Sequence, residues 1–206
     1  MRRVGLTGGI ATGKSKVGGV LRGCGVSVLD ADQAARVVVA RGQPLLDQIA
    51  AHFGAEVLLA DGALNRRRLR EVILANPSAR RDLDAMTHPA IWALLEAQLR
   101  ALADGGTPIA VVEAALMVEA GWHRHFDALL VATCPEVEQV RRVMIRDRVS
   151  REGAHAVLEA QLPNRDKVAL ADAVIDTYGP VELLPDKVRV AWVQLARGLP
   201  AASSCG

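Results

Sequence analysis

The sequence predicts an α/β protein built on a five-stranded parallel sheet flanked by helices, and three observations predict it. Short β-branched and Leu-rich runs alternate with longer helical patterns, as parallel strands joined by crossover helices require. The first run leads into a glycine-rich loop and then an apolar-periodic helix. Later runs end in polar or Gly-rich connections, where open parallel sheets place their ligands.

Strands are expected at 3–6, 26–30, 108–113, 128–133 and 173–176. Between the second and third lie about 75 residues, far more than a crossover needs, so a helical insertion is expected there. In it Leu69, Val72, Ile73, Leu83, Met86, Ile91, Leu94, Leu95 and Leu99 recur at three- and four-residue steps, with Arg66, Arg67, Arg68, Arg80 and Arg81 between them. A second helical stretch, 136–161, carries Arg141, Arg142, Arg146, Arg148 and Arg151 and is broken around Ser150 and Gly153. It reads as a cationic flap or, for some of its arginines, a solvated face. The expected division is a single domain over 1–200, with a core of 1–31, 107–135 and 169–200, an insertion of about 32–106 and a flap of about 136–168. The 201–206 tail is expected to be disordered.

Composition excludes several classes. Lys plus Arg number 25 against 23 Asp plus Glu, a net charge of +2, too balanced for an electrostatic nucleic-acid binder. Phe53, Trp92, Trp122, Phe126, Tyr178 and Trp192 are scattered, which argues against base stacking along a single strand. Cys24, Cys134 and Cys205 show no C-x-x-C spacing, so neither a disulfide framework nor a zinc site is indicated. The longest apolar stretch, 109–118, is interrupted by Glu113 and is about half the ~20 residues of a membrane span. A cytoplasmic protein, monomeric or a small homo-oligomer, without nucleic-acid or membrane partners, is the expectation.

Gly8, Gly9, Ile10, Ala11, Thr12, Gly13, Lys14 and Ser15 fit G-x-x-x-x-G-K-[ST] between a strand and a helix. Such a loop turns backbone N–H groups inward toward phosphate oxygens, aided by the positive helix terminus. Thr12 and Gly13 are expected backbone donors, Lys14 would reach the β- and γ-phosphates, and the Ser15 hydroxyl would ligate Mg²⁺. The loop therefore predicts Mg²⁺-nucleoside triphosphate binding and leaves open what happens to the γ-phosphate.

Asp30 and Asp32 follow the second strand. Asp32 there is either a base for an acceptor hydroxyl or an N-cap for a helix over 33–39. Glu113, at the end of the third strand, would hold a metal-bound water or be an ordinary surface residue.

The order and spacing of many short motifs resemble the dephospho-CoA kinase family over most of the chain. They include Gly5-Leu-Thr-Gly-Gly-Ile and the phosphate loop, Leu29-Asp-Ala-Asp, Phe53-Gly, Asp61-Gly-Ala-Leu-Asn-Arg66, Leu69-Arg70, His88-Pro89, the stretch from Leu116 to Glu119, Gln139-x-x-Arg142-x-x-x-Arg146, Gln161, and Ala171-Asp172-x-Val-Ile-Asp176. The resemblance implies a three-layer P-loop kinase fold with a nucleotide core, a helical subdomain that binds the acceptor, and a lid. It implies transfer from ATP, with Mg²⁺, to the ribose 3′-hydroxyl of dephospho-CoA, the last step of coenzyme A synthesis. Another small-molecule or nucleoside monophosphate kinase, or a nucleotide-sensing scaffold, is the alternative.

By that likeness Asp32 deprotonates the acceptor and Thr7 orients the acceptor side of the loop. Arg142 and Arg146 close over the transferring phosphate, Leu116 and Glu119 line the acceptor site, and Thr177 and Tyr178 lie near the ATP base. His88, before Pro89, would donate to the acceptor or mark a helix start. The sequence departs from the family pattern in three places. Lys16 stands where Ser or Thr is usual and adds a charge beside the nucleotide. Ala115 stands for a rigid proline, and Thr177 for an asparagine at the base site.

Overall fold

The computed structural model describes residues 1–196; Cys205 and the 201–206 tail lie outside the described residues. All five expected strands form, as β1 (Arg2–Thr7), β2 (Ser27–Asp30), β3 (Ile109–Glu113), β4 (Ala128–Thr133) and β5 (Ala173–Asp176). They make one sheet in the order β2-β3-β1-β4-β5. β1 runs parallel to both neighbours, with Val4 opposite Val111 of β3 and Ala128 of β4, and β5 runs parallel to β4. The chain leaves β1 toward one edge and later crosses to the other. The carboxyl end of β1 thus sits at the reversal point where such sheets bind ligands.

Alternation in the strands decides the layers. Val4 and Leu6, Ile109 and Val111, and Leu130 and Ala132 point to one face and pack with Val17 and Leu21 of α1 (Lys14–Gly23) and with Val188 and Trp192 of the last described helix, Leu184–Ala196. On the other face Gly5 leaves room for the segment after β3, because a Cβ there would lie 2.5 Å from Met117 Sδ.

The chain divides into two compact units, one of Asp30–Ala101 and one of Met1–Leu29 with the chain from Leu102 onward. Within Asp30–Ala101, α2 (Ala31–Val38), α3 (Pro44–Phe53) and α4 (Arg66–Ala75) surround a core of Val39, Ile49, Val57 and Leu69, with Ile73, Leu83 and Met86 packed on it. A 28-residue helix, α5 (Pro77–Asp104), follows. The helix start expected as the alternative at His88-Pro89 is not there, since α5 continues through Pro89. A mid-helix proline removes one N–H donor; just before it, the Thr87 hydroxyl donates to the Leu83 carbonyl at 2.8 Å.

The flap contains α6 (Glu136–Asp147), α7 (Arg151–Glu159) and α8 (Asn164–Val168). Its break falls at 148–150, as expected for Ser150, and Arg148 caps α6 in the left-handed conformation at φ 55°. Gly153 does not break the helix: its N–H bonds the Ser150 side chain that caps α7. Among the described residues no helix is long and apolar enough to cross a membrane.

Candidate active site

The glycine-rich loop spans 8–13. Gly13, at φ 84°, caps α1 in the left-handed region, which glycine enters at little cost. Ala11 lies there too, at φ 58°. A Cβ on Gly8 would sit 2.6 Å from the Ala132 carbonyl oxygen, so only glycine lets the loop lie this close to β4.

The N–H groups of the loop divide into engaged and unengaged ones, and Thr12, expected as a backbone donor to phosphate, is among the engaged. The Gly9 N–H donates to Asn164 Oδ1 at 2.9 Å and the Ile10 N–H to Gln161 Oε1 at 3.0 Å. The Thr12 N–H and hydroxyl both donate to the Gly9 carbonyl. The N–H groups of Gly9 and Ile10 are thus taken by the flap, and that of Thr12 by the loop itself. Those of Ala11, Gly13, Lys14 and Ser15 donate to no described protein acceptor. The last three lie at the start of α1, where helix geometry leaves N–H groups unpaired and the dipole favours an anion. Ser15 and Lys16 are exposed beside them.

The lysine of the loop is not free. Lys14 Nζ lies 2.9 Å from Glu113 Oε1, and Arg22 reaches Oε2 of the same carboxylate at 3.5 Å. Glu113 is 2% exposed at the end of β3, opposite Leu6 of β1, so it is no ordinary surface residue. Gly18 makes room for it, since a Cβ there would lie 2.4 Å from Glu113 Oε2.

Both roots of the flap bond to the loop. At the α6 root, Arg142 donates from Nε to Glu138 at 2.7 Å, from Nη1 to the Ala11 carbonyl at 3.1 Å and to Thr177 Oγ1 at 3.3 Å, and from Nη2 to the Thr177 carbonyl. The Thr177 hydroxyl in turn donates to the Thr12 carbonyl at 2.5 Å. Arg142 thus braces the Ala11–Thr12 side of the loop against Thr177. Arg146, one turn further on, pairs with Asp147 and is exposed. Arg141 pairs with Glu138 on the exposed side, as a solvated face would. Burial pushes the nearby Cys134 thiol up. Tyr178 is half exposed; its N–H bonds Asp176 and its carbonyl accepts from Lys187.

At the other root Gln161 and Asn164 hold Ile10 and Gly9, and Asn164 Nδ2 also donates to Thr133 Oγ1 at 2.7 Å. A cavity of about 790 Å³, bounded by Gly9, Ile10, Thr133, Gln139, Gln161 and Asn164 among others, opens on this side. That volume suits a small-molecule ligand.

The segment after Glu113 is fixed by a buried cation. The Ala115 carbonyl accepts from Thr7 Oγ1 at 3.3 Å and from Lys167 Nζ at 2.9 Å, and Lys167 Nζ also pairs with Glu119 Oε1 at 2.8 Å. Lys167 is fully buried, and the Leu162 N–H donates to the same Glu119 oxygen at 3.2 Å. The Glu119 carboxylate expected to bind the acceptor is thus engaged in holding this segment. Leu116 beside it is half-buried.

Within Asp30–Ala101, Asp30 and not Asp32 caps α2, its Oδ1 accepting from the N–H groups of Asp32 at 2.8 Å and Gln33 at 3.3 Å. Asp32 is exposed in the first turn of α2 with its carboxylate engaged by no described residue. His88, on α5, lies 3.7 Å from Asp84.

Sequence reasoning passed over Asn164 and Lys167, and Gln161 entered only through the family resemblance. Their signal was a three-residue spacing of polar side chains on either side of Pro163, the last two of which a helical turn brings onto one side. For Gly18 the signal was a glycine inside a helix, where it costs about 1 kcal/mol against alanine unless something needs the space.

A strand–loop–helix phosphate cradle at the switch point of a parallel sheet, with its lysine on a buried carboxylate and a helical flap rooted on the loop, defines a P-loop phosphotransferase. The fold is that of shikimate kinase from Aquifex aeolicus, superposed at a TM-score of 0.51 over 95% of this chain and 99% of that one at 13% identity. The chain belongs to the dephospho-CoA kinase family, whose model matches residues 2–182. It is 44% identical over 194 residues to the dephospho-CoA kinase of Geobacter sulfurreducens, covering 94% of this chain and 98% of that protein. Dephospho-CoA kinase from Campylobacter jejuni superposes at a TM-score of 0.73 with 26% identity, over 96% of this chain and 99% of that one.

Proposed function

We propose that this protein transfers the γ-phosphoryl group of ATP to the ribose 3′-hydroxyl of dephospho-CoA in the cytoplasm, completing coenzyme A synthesis. The observation that carries this reading is the Lys14–Glu113 pair behind unengaged N–H groups at the start of α1, in a chain of this family. Those N–H groups suit the β-phosphate, and the Lys14 ammonium neutralises charge that builds between the β- and γ-phosphates. The exposed Ser15 hydroxyl and the Glu113 carboxylate are hard oxygen donors of the kind Mg²⁺ takes, Ser15 as ligand and Glu113 through a bound water. The ion would supply further neutralisation of phosphate charge.

Asp32 is the base in this reading, with the Asp30–Ala101 unit supplying the acceptor's contacts, His88 among them. Its carboxylate takes the 3′-hydroxyl proton as that oxygen bonds to the γ-phosphorus, and the bond to the ADP oxygen breaks. Two observations support it: the cap of α2 is already supplied by Asp30, and Asp32 follows a strand of the nucleotide sheet by two residues. Thr7 positions the acceptor side of the loop through Ala115. Arg142 serves the base side, and the exposed Arg146 is the flap arginine available to the transferring phosphate, where a guanidinium pairs with two oxygens.

Incubation with ATP, Mg²⁺ and dephospho-CoA, followed by mass spectrometry, tests the reading. Coenzyme A and one equivalent of ADP are expected. ADP released at the same rate without acceptor would instead mark a nucleotidase, and turnover with a different hydroxyl acceptor alone would mark another small-molecule kinase.

A further inference from the structure

Gln161, Asn164 and Lys167 stand three residues apart around the start of α8, and between them their side chains reach the carboxyl ends of three strands. Gln161 and Asn164 accept from the first N–H groups of the phosphate loop, which follows β1, and Asn164 also holds Thr133 at the end of β4. Lys167 holds Ala115 and Glu119, in the segment after β3. The Thr7 hydroxyl meets Lys167 on the same Ala115 carbonyl.

A fully buried ammonium is costly unless its hydrogen bonds are met. Here two of its three N–H groups are met, by one carbonyl and one carboxylate of a single irregular segment. An apolar residue would fill the space without that cost, so the charge has a use beyond packing. The segment it grips starts two residues after Glu113, the partner of the loop lysine, at the edge of the sheet where ligands bind.

We propose that this row is a divided positioning clasp: Asn164 and Gln161 set the phosphate loop for ATP, and Lys167 sets residues 115–119 for the acceptor. None of the three is itself a catalytic residue. The assignment rests on the phosphotransferase reading above, and it predicts a crossed kinetic pattern that a purely structural role would not produce.

The experiment compares Asn164→Ala and Lys167→Met by steady-state kinetics, with ATP and dephospho-CoA varied separately and folding followed by circular dichroism. Loss of one hydrogen bond to a positioned segment corresponds to about tenfold. Asn164→Ala is expected to raise the KM for ATP about tenfold and leave that for dephospho-CoA within about twofold. Lys167→Met is expected to do the reverse. If Lys167→Met does not fold, Lys167→Arg keeps the charge but changes the reach, and raises the acceptor KM alone by a smaller factor. Variants that shift both KM values together, or neither, while folded overturn the clasp. If the wild-type protein does not phosphorylate dephospho-CoA at all, the function reading has failed and not the clasp alone.

Discussion

Lys14 Nζ and Glu113 Oε1 lie 2.9 Å apart, with side chains 10% and 2% exposed. The register of β1 with β3 sets this distance, because Leu6 pairs with Glu113 and the loop must return from β1 to α1 over that point. Arg22 joins on the far oxygen, so one carboxylate bridges two cations. In Glu113→Gln the near-neutral amide leaves Lys14 buried without its counter-charge, and breaking such a pair costs about 3 kcal/mol. The expected result is a lower midpoint in urea, partly restored by added ATP, whose phosphates give Lys14 a new partner. Turnover should fall by about 10² or more, as when one electrostatic stabiliser of a transition state is removed. A variant as stable as wild type without nucleotide would contradict this.

Gly18 and Ala11 should respond to opposite swaps. Alanine in a helix interior normally gains about 1 kcal/mol over glycine. Gly18→Ala, however, places a methyl 2.4 Å from Glu113 Oε2, and overpacking of that kind costs about 1–3 kcal/mol. It should destabilise the protein and reduce turnover by disturbing the Lys14 pair. Ala11→Gly relieves a left-handed φ of 58°, worth about 1 kcal/mol and partly offset by glycine's freer unfolded chain. A small rise in urea midpoint is expected. A raised urea midpoint in Gly18→Ala, the gain that helix propensity alone would give, would refute the account of Gly18.

Which parts were legible in the sequence follows from the range of the interactions. The strands were found within a residue or two because alternation and β-branching are local, and the phosphate loop was found because glycine, lysine and serine occupy fixed offsets. Glu113 was undervalued because its burial and its partners, 99 and 91 residues away along the chain, follow from strand order. Lys167 was missed for the same reason: nothing near it in sequence says that Ala115 and Glu119 will surround it. Local competition left cap and base open at Asp32, because carboxylates two residues apart can compete for one helix start and only backbone geometry selects Asp30 as the cap.

The two aspartates separate cap from catalyst. Asp30→Ala removes the cap of α2 and should cost about 1 kcal/mol of stability. Asp32→Asn, at an exposed position whose carboxylate touches no described residue, should leave the thermal midpoint near wild type. Its turnover should drop by about 10³ with little change in ATP affinity, because a base acts only as the transition state forms. Stopped-flow ADP release and calorimetric ATP binding measure the two quantities separately. Full activity in Asp32→Asn would remove it from the mechanism.

Glu138 links acid stability to the nucleotide side of the site. Hydrogen bonds from Arg141, and then from Arg142, hold its carboxyl down from 4.5 to about 2. A carboxylate whose pKa is depressed on folding adds stability that is fully present above about pH 4.5 and is lost as the pH falls toward 2. The pair faces solvent on the Arg141 side, so screening limits the contribution to about 1 kcal/mol. In Glu138→Gln this part disappears, so the variant should be less stable than wild type at pH 6, with the gap closing by about pH 2.5. The same substitution frees Arg142 Nε, whose guanidinium braces Ala11 and Thr177. The KM for ATP should therefore rise about threefold at pH 7 while that for the acceptor stays put, since the lost contact is worth a fraction of a tenfold change. Thermal unfolding curves that remain parallel from pH 6 to 2.5, or an unchanged ATP KM, would show that Glu138 neither titrates with folding nor holds Arg142 against the loop.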